Sequence, residues 1–263
     1  MLKYWSILIV YFKDALYYRK ALISFLVLNI FRVSVLVGIY SLAFHFRTQG
    51  INGMSLNAAV WSITIYFIFY SLETHYIYRD ISEDVRFGVL EQKLVKPYDY
   101  LMAEAAQRLG KSLPRLFFGL LVIVTVMPLL FPLPVGIFSG SMLLGGIILF
   151  LGGLLMSLIF YSLVGLTAVW LQDAEPVYWV VSKSIMLFGG AYLPIAMFPP
   201  AVKLIAYYTP FGLITSATRA VSSGFAAIWP IILLWEIVWI LILGALVFIL
   251  RRATDKKLSI NGG

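Results

Sequence analysis

The chain has 263 residues, of which 62% are apolar and 12% charged, with a mean hydropathy of +0.94 and a formal net charge of +8. A soluble domain carries roughly 25% charged residues, so half that density over this length describes a polytopic membrane protein. No cysteine occurs, which excludes a disulfide framework, a thiolate metal site and a Cys nucleophile. Two histidines, His45 and His75, are too few for a His-based metal centre. In such a chain an excess of Lys and Arg reports residues retained on the cytoplasmic side rather than affinity for nucleic acid.

Residues 3–20 are aromatic and basic. Tyr4, Leu8, Tyr11, Phe12 and Ala15 share one helical face, while Lys3, Lys13 and Asp14 fall elsewhere. This pattern predicts an interfacial helix over residues 1–20, lying on the membrane before the first span, with a plain extension of that span as the alternative. The charges leave no apolar core for a cleavable signal peptide. Six stretches then satisfy the need for about 20 mostly apolar residues: about 22–45, 56–77, 114–133, 142–171, 176–197 and 226–250. The third contains Pro128. The fourth carries Gly145/Gly146 and Gly152/Gly153 on one face, spaced for close helix packing.

Between the second and third spans lies the one long polar run, residues 79–113, ending against Arg115 at the head of the third span. Phe87, Leu90 and Leu94 repeat at helical spacing among Glu83, Asp84, Arg86, Glu91 and Lys93; Leu101, Ala105 and Leu109 repeat beside Glu104, Arg108 and Lys111. Both read as amphipathic helices, divided at Pro97 because the residue before proline avoids the helix. Counting Lys and Arg fixes the orientation. Lys3, Lys13, Arg19, Lys20, seven residues from Arg79 to Arg115, and Arg251, Arg252, Lys256 and Lys257 make fifteen on one side, against Arg47, Lys203 and Arg219 on the other. The fifteen place both termini and the loop in the cytoplasm.

Residues 198–225, before the last span, are apolar but broken by Pro199, Pro200, Pro210 and Gly212. They predict short helices dipping into the outer leaflet, where non-helical backbone must be covered by protein or line a watery cavity. Three ionisable residues fall inside spans: Arg32, Lys183 and Glu236. Arg32 and Glu236 are each ten residues into their spans from opposite sides, so both reach the midplane at a depth of about 15 Å. That depth predicts an Arg32–Glu236 ion pair, structural or in contact with substrate. Lys183 is nearer the inner surface and can snorkel.

No phosphate-cradling G-x-x-x-x-G-K-[ST], no H-E-x-x-H and no G-x-S-x-G occurs. His75 and Asp80 form an H-x4-D spacing used by some membrane acyltransferases, where an Asp orients a His base. An ion-coupled secondary transporter is a further alternative, although no inverted repeat is visible.

The six-span all-α layout, with an interfacial N-terminal helix, coupling helices between spans two and three and a dipping outer segment before span six, resembles that of ABC-2-type transporter permeases. The likeness covers nearly the whole chain, as one domain over residues 1–263. Two stretches carry it. Arg79-Asp80-Ile81 through Gly88, Glu91 and Lys96-Pro97 is similar to the family's coupling loop, with Lys93-Leu94-Val95-Lys96-Pro97 where the family often has two leucines and Arg-Pro. Gly190 to Pro194, with Pro199, Pro200 and Pro210, resembles its outer segment. The likeness is strongest to a branch of export permeases often encoded in pairs. It implies separate ABC ATPase subunits holding ATP and Mg, a second permease copy or sister, and membrane lipids as surroundings. It gives ATPase-coupling roles to Asp84, Gly88, Glu91, Lys96 and Pro97, and no cofactor or catalytic residue to this chain. It further implies a bacterial inner membrane and export of a drug-like, lipid or glycan substrate.

Overall fold

A computed structural model describes residues 2–45, 51, 53–132 and 140–261. Arg47 and residue 133, the expected end of the third span, lie outside the described residues. Apart from one bridge between Ile51 and Met54, the regular elements are helical among the described residues. They are α1 (Leu2–Tyr17), α2 (Arg19–His45), α3 (Leu56–Tyr70), α4 (Ile77–Arg86), α5 (Leu90–Leu94), α6 (Tyr100–Leu130), α7 (Gly140–Leu166), α8 (Ala168–Leu171), α9 (Glu175–Phe188), α10 (Pro200–Tyr208), α11 (Pro210–Leu213) and α12 (Phe225–Asn261). Short 3₁₀ turns span Thr74–Tyr76, Ile195–Met197 and Ser216–Val221.

Among the described residues five helices are long and apolar enough to cross a membrane, where six spans are expected. The stretch expected as a fifth span, 176–197, is not one helix. α9 has 14 residues, about 21 Å at 1.5 Å per residue, short of a core of about 30 Å. Its apolar run continues, but Gly189 and Gly190 turn the chain, with Gly190 in the left-handed region at φ +86°. In the second span, α3 ends at Tyr70, and Glu73 at φ 49° breaks the axis before α4. The second amphipathic helix of the polar run is the near end of the third span: α6 runs unbroken for 31 residues from its cap at Asp99, whose carboxylate accepts the Met102 N–H, through Pro114. The fourth expected span, 142–171, divides into α7, which ends at Leu166, and α8, which ends at Leu171, while the last span outruns its expected bound of 250 to Asn261.

α3 is the buried centre of the bundle, with ten of its 15 residues buried, while α2, with three of 27 buried, is the rim. Glycines on α7 admit its neighbours. Gly145 faces the Trp229 ring, Gly152 the Glu236 carboxylate and Gly153 the Ile214 carbonyl, so the glycine face packs within the chain. α1 lies along α6 through the face expected for it: Tyr4, Leu8, Tyr11, Phe12 and Ala15 are partly buried while Lys3, Lys13 and Asp14 are exposed. A Cβ at Gly110 of α6 would sit 2.5 Å from the Leu8 carbonyl oxygen, so only glycine permits this approach.

Candidate functional site

The polar run folds into a platform at the end of the bundle where α1, α4, α5, α9 and the end of α12 converge. Hydrophobic anchors come first: Ile77, Ile81 and Leu90 are buried against the core. A ladder of charged groups then ties the platform to α6. Lys93 donates to Asp84 at 2.5 Å and to Glu104 at 2.9 Å, and the Tyr100 hydroxyl donates to Asp84 at 2.7 Å. Arg108 pairs with Asp80 and lies over the Tyr76 ring; Arg115 pairs with Glu73; Arg251 of α12 pairs with Asp99. Lys3 Nζ donates to the Pro97 carbonyl at 3.1 Å, and the Asp99 N–H donates to the Tyr4 hydroxyl at 2.9 Å, so α1 also clasps the platform. Burial acts to lower the Lys93 pKa, but its bonds to the two carboxylates outweigh this and hold it above the ordinary value.

What projects from this base is short. Gly88 at φ +67° reverses the chain between α4 and α5, which leaves Phe87 72% exposed rather than on the buried face with Leu90 and Leu94. Val95 is 86% exposed, and Glu91, Lys96 and Pro97 are exposed beside it. The five residues given coupling roles therefore divide. Gly88, Glu91, Lys96 and Pro97 are on the projecting surface; Asp84 is half-buried and bound to Lys93 and Tyr100. The apolar knobs Phe87 and Val95 went unread in the sequence. Glycine at position 88, a residue type that admits the left-handed region and so can end α4, is the signal in the sequence that separates Phe87 from Leu90 and Leu94.

At the opposite end the later part of the broken segment, α11 and the turn Ser216–Val221, is covered by protein, as non-helical backbone at that depth requires, while α10 leaves Leu204, Ile205 and Tyr208 exposed. Pro200 and Pro210 open α10 and α11, Pro199 caps α10, and Pro194 leads into the turn Ile195–Met197. Arg219 is not a surface charge. It is 3% exposed, donates to the Ala206 carbonyl at 2.6 Å and the Gly212 carbonyl at 3.3 Å, and lies 4.3 Å from the centre of the Tyr207 ring.

The structure does not bring Arg32 and Glu236 together. Glu236 is fully buried on α12 and accepts from the Ser216 hydroxyl. Arg32 lies over the rings of Phe67 and Tyr70, 5.5 and 5.8 Å from their centres. Equal depth in two spans does not make two residues neighbours: α2 is at the rim beside α3, whereas Glu236 faces α7. Lys183 lies 4.8 Å from the Trp179 ring centre. A cation at a helix centre costs about 2.5–3.5 kcal/mol and a cation–π contact returns about 0.5–2.

His75 has no tie to Asp80. It is buried in a tyrosine stack, 4.9 Å from Tyr70, 4.3 Å from Tyr76 and 6.2 Å from both Tyr161 and Tyr178, while Asp80 bonds Arg108. A His without its orienting carboxylate and packed on its faces is poorly built as a general base. No cluster able to hold a metal occurs among the described residues.

Comparison with known proteins agrees with this architecture. The family model described as "ABC-2 family transporter protein" matches residues 20–259. No curated protein and no solved structure matches the chain. With more than half of its length matched, several membrane-crossing helices and no catalytic constellation at His75, the chain belongs to the ABC-2 family of transporter proteins, as a membrane permease.

Proposed function

We propose that this permease is the membrane half of an ATP-driven exporter whose ATP and Mg are held by separate ABC ATPase subunits. The carrying observation is the build of residues 87–97: exposed apolar knobs and charges on a reversed turn, above a base tied by ion pairs to α6 and α12. A short element held at its base can transmit a rigid-body motion without absorbing it. Phe87 and Val95 would seat in an ATPase cleft, Glu91 and Lys96 would pair with charges on its rim, and closure of two ATPase subunits would tilt α6 and α12 through Asp99 and Arg251. Two copies of this chain, or one with a sister permease, would enclose the path of an amphiphilic, lipid or glycan substrate. Fifteen Lys and Arg on the platform side support a cytoplasmic location for both termini, in a bacterial inner membrane.

Because the chain has no cysteine, a single one can be introduced at the tip. Glu91→Cys in the assembled transporter, treated with a short bifunctional reagent, is expected to cross-link to an ATPase subunit, and Lys203→Cys is not. Cross-linking from Lys203→Cys alone would reverse the assignment.

A further inference from the structure

Between α2, α3 and α9 lies a cavity of about 600 Å³, lined by Arg32, Lys183, Tyr66, Tyr70, Tyr178 and Trp179 among others. Its volume is that of a small-molecule site. Two features characterise it. First, Arg32 of α2 and Lys183 of α9 both open onto it, and no acidic residue is among those lining it. Arg32 lies over the faces of Phe67 and Tyr70, and Lys183 contacts the Trp179 ring and the Met186 sulfur at 3.9 Å; no carboxylate pairs with either among the described residues. Second, the wall beside them is aromatic. Tyr66 stacks on Tyr70 at 6.2 Å, Tyr70 on His75 at 4.9 Å, and His75 on Tyr178 at 6.2 Å.

Intramembrane charges pair, or line a path for something that pairs with them. Two like charges face one space whose lining holds no carboxylate; Glu175, at the foot of the wall, accepts from the Trp179 indole N–H at 3.2 Å, and the two cations call for an anion from outside the chain. We propose that this cavity is a binding site for an amphiphile with an anionic, phosphate- or sulfate-like headgroup. Arg32 and Lys183 hold the headgroup, and the tyrosine–tryptophan wall holds the apolar body. Arg32 offers a planar fork to two oxygens of such a group, and Lys183 a point charge. The site goes beyond the ATP-driven reading and does not depend on it, since binding needs no ATPase.

Trp179 is a built-in reporter. The purified chain in phosphatidylcholine nanodiscs is titrated with phosphatidylglycerol or phosphatidylcholine carrying brominated chains, which quench nearby indoles. The signal read is the difference between wild type and Trp179→Phe. Brominated phosphatidylglycerol is expected to quench Trp179 at about five- to tenfold lower mole fraction than brominated phosphatidylcholine, the scale of one or two charge-assisted contacts. Arg32→Gln with Lys183→Gln is expected to abolish that preference, and Arg32→Lys with Lys183→Arg to keep most of it, which separates lost charge from lost fold. A second arm adds soluble dodecyl phosphate or dodecylphosphocholine. Displacement of brominated phosphatidylglycerol by dodecyl phosphate at lower concentration assigns the site to anionic amphiphiles generally; preference for the lipid without displacement assigns it to membrane lipid. Equal quenching by the two lipids, with equal effects of the two soluble amphiphiles, overturns the proposal. So does a preference that survives the double Gln variant.

Discussion

Removing the Arg219 guanidinium leaves the Ala206 and Gly212 carbonyls without their donor inside a packed segment. A hydrogen bond to a charged group contributes about 1.5–3 kcal/mol, so Arg219→Ala is expected to destabilise the detergent-solubilised protein by at least about 2 kcal/mol, read as a fall in Tm, whereas the half-buried Lys203→Ala leaves Tm within a degree or two. Asp99 behaves differently because its role depends on charge. Burial alone would raise its pKa, but the Met102 N–H and Arg251 outweigh burial and hold it below the ordinary carboxylate value. A depressed folded-state pKa contributes stability that is present above the unfolded pKa, near 3.9, and is lost as pH falls through the lower folded value. Asp99→Asn keeps the helix cap but removes the charge. It is expected to lower stability at pH 7 by up to about 1 kcal/mol, since both partners are about a third exposed and screened. The difference from wild type should vanish towards pH 3 in thermal melts. At this scale the sequence misleads where depth stands in for contact. Arg32 and Glu236 share a depth but not a neighbour, because helix order around α3 is not visible in hydropathy.

Helices are legible where periodicity and stop signals agree. The buried face of α1 and the corner at Pro97 follow from the spacing of a few side chains. α6 and α9 do not. Pro114 reads as a helix start, yet it sits inside α6 with Gly110 at the i−4 position, where no side chain crowds the ring. α9 reads as a span because apolarity persists past Gly190, although the backbone turns there. Gly110 supplies the prediction at this scale. Gly110→Ala places a Cβ against the Leu8 backbone, which cannot rotate away, so α1 must shift from α6. We expect a loss of about 1–3 kcal/mol, the usual effect of overpacking, and faster proteolysis of the first 20 residues. Gly119→Ala, nine residues further along α6, meets nothing within 4 Å and should be neutral or stabilising by up to about 1 kcal/mol.

The molecule as a whole is a bundle with a charged platform at one end and a broken, partly covered segment at the other. Which end faces the cytoplasm is a matter of charge count, and single cysteines test it. In intact cells, Lys256→Cys and Lys96→Cys are expected to resist a membrane-impermeant maleimide that labels Lys203→Cys; the opposite pattern would invert the topology. The platform's place in the sequence was legible from its charges, and its division of labour was not, because charge alone does not separate a residue that braces the base, such as Asp84, from one that meets a partner, such as Glu91.

The most direct test of the account is purification of the tagged chain from its native membrane in mild detergent, with and without Phe87→Ala combined with Glu91→Lys. Wild type is expected to bring a stoichiometric ATPase subunit and measurable ATP hydrolysis. The double variant, altered only at exposed positions, should keep its Tm and lose at least about tenfold of the bound subunit, the scale of one lost anchor contact. An ATPase retained in full by the double variant would contradict the docking role of the tip, and a chain that never carries an ATPase would contradict the coupling account itself.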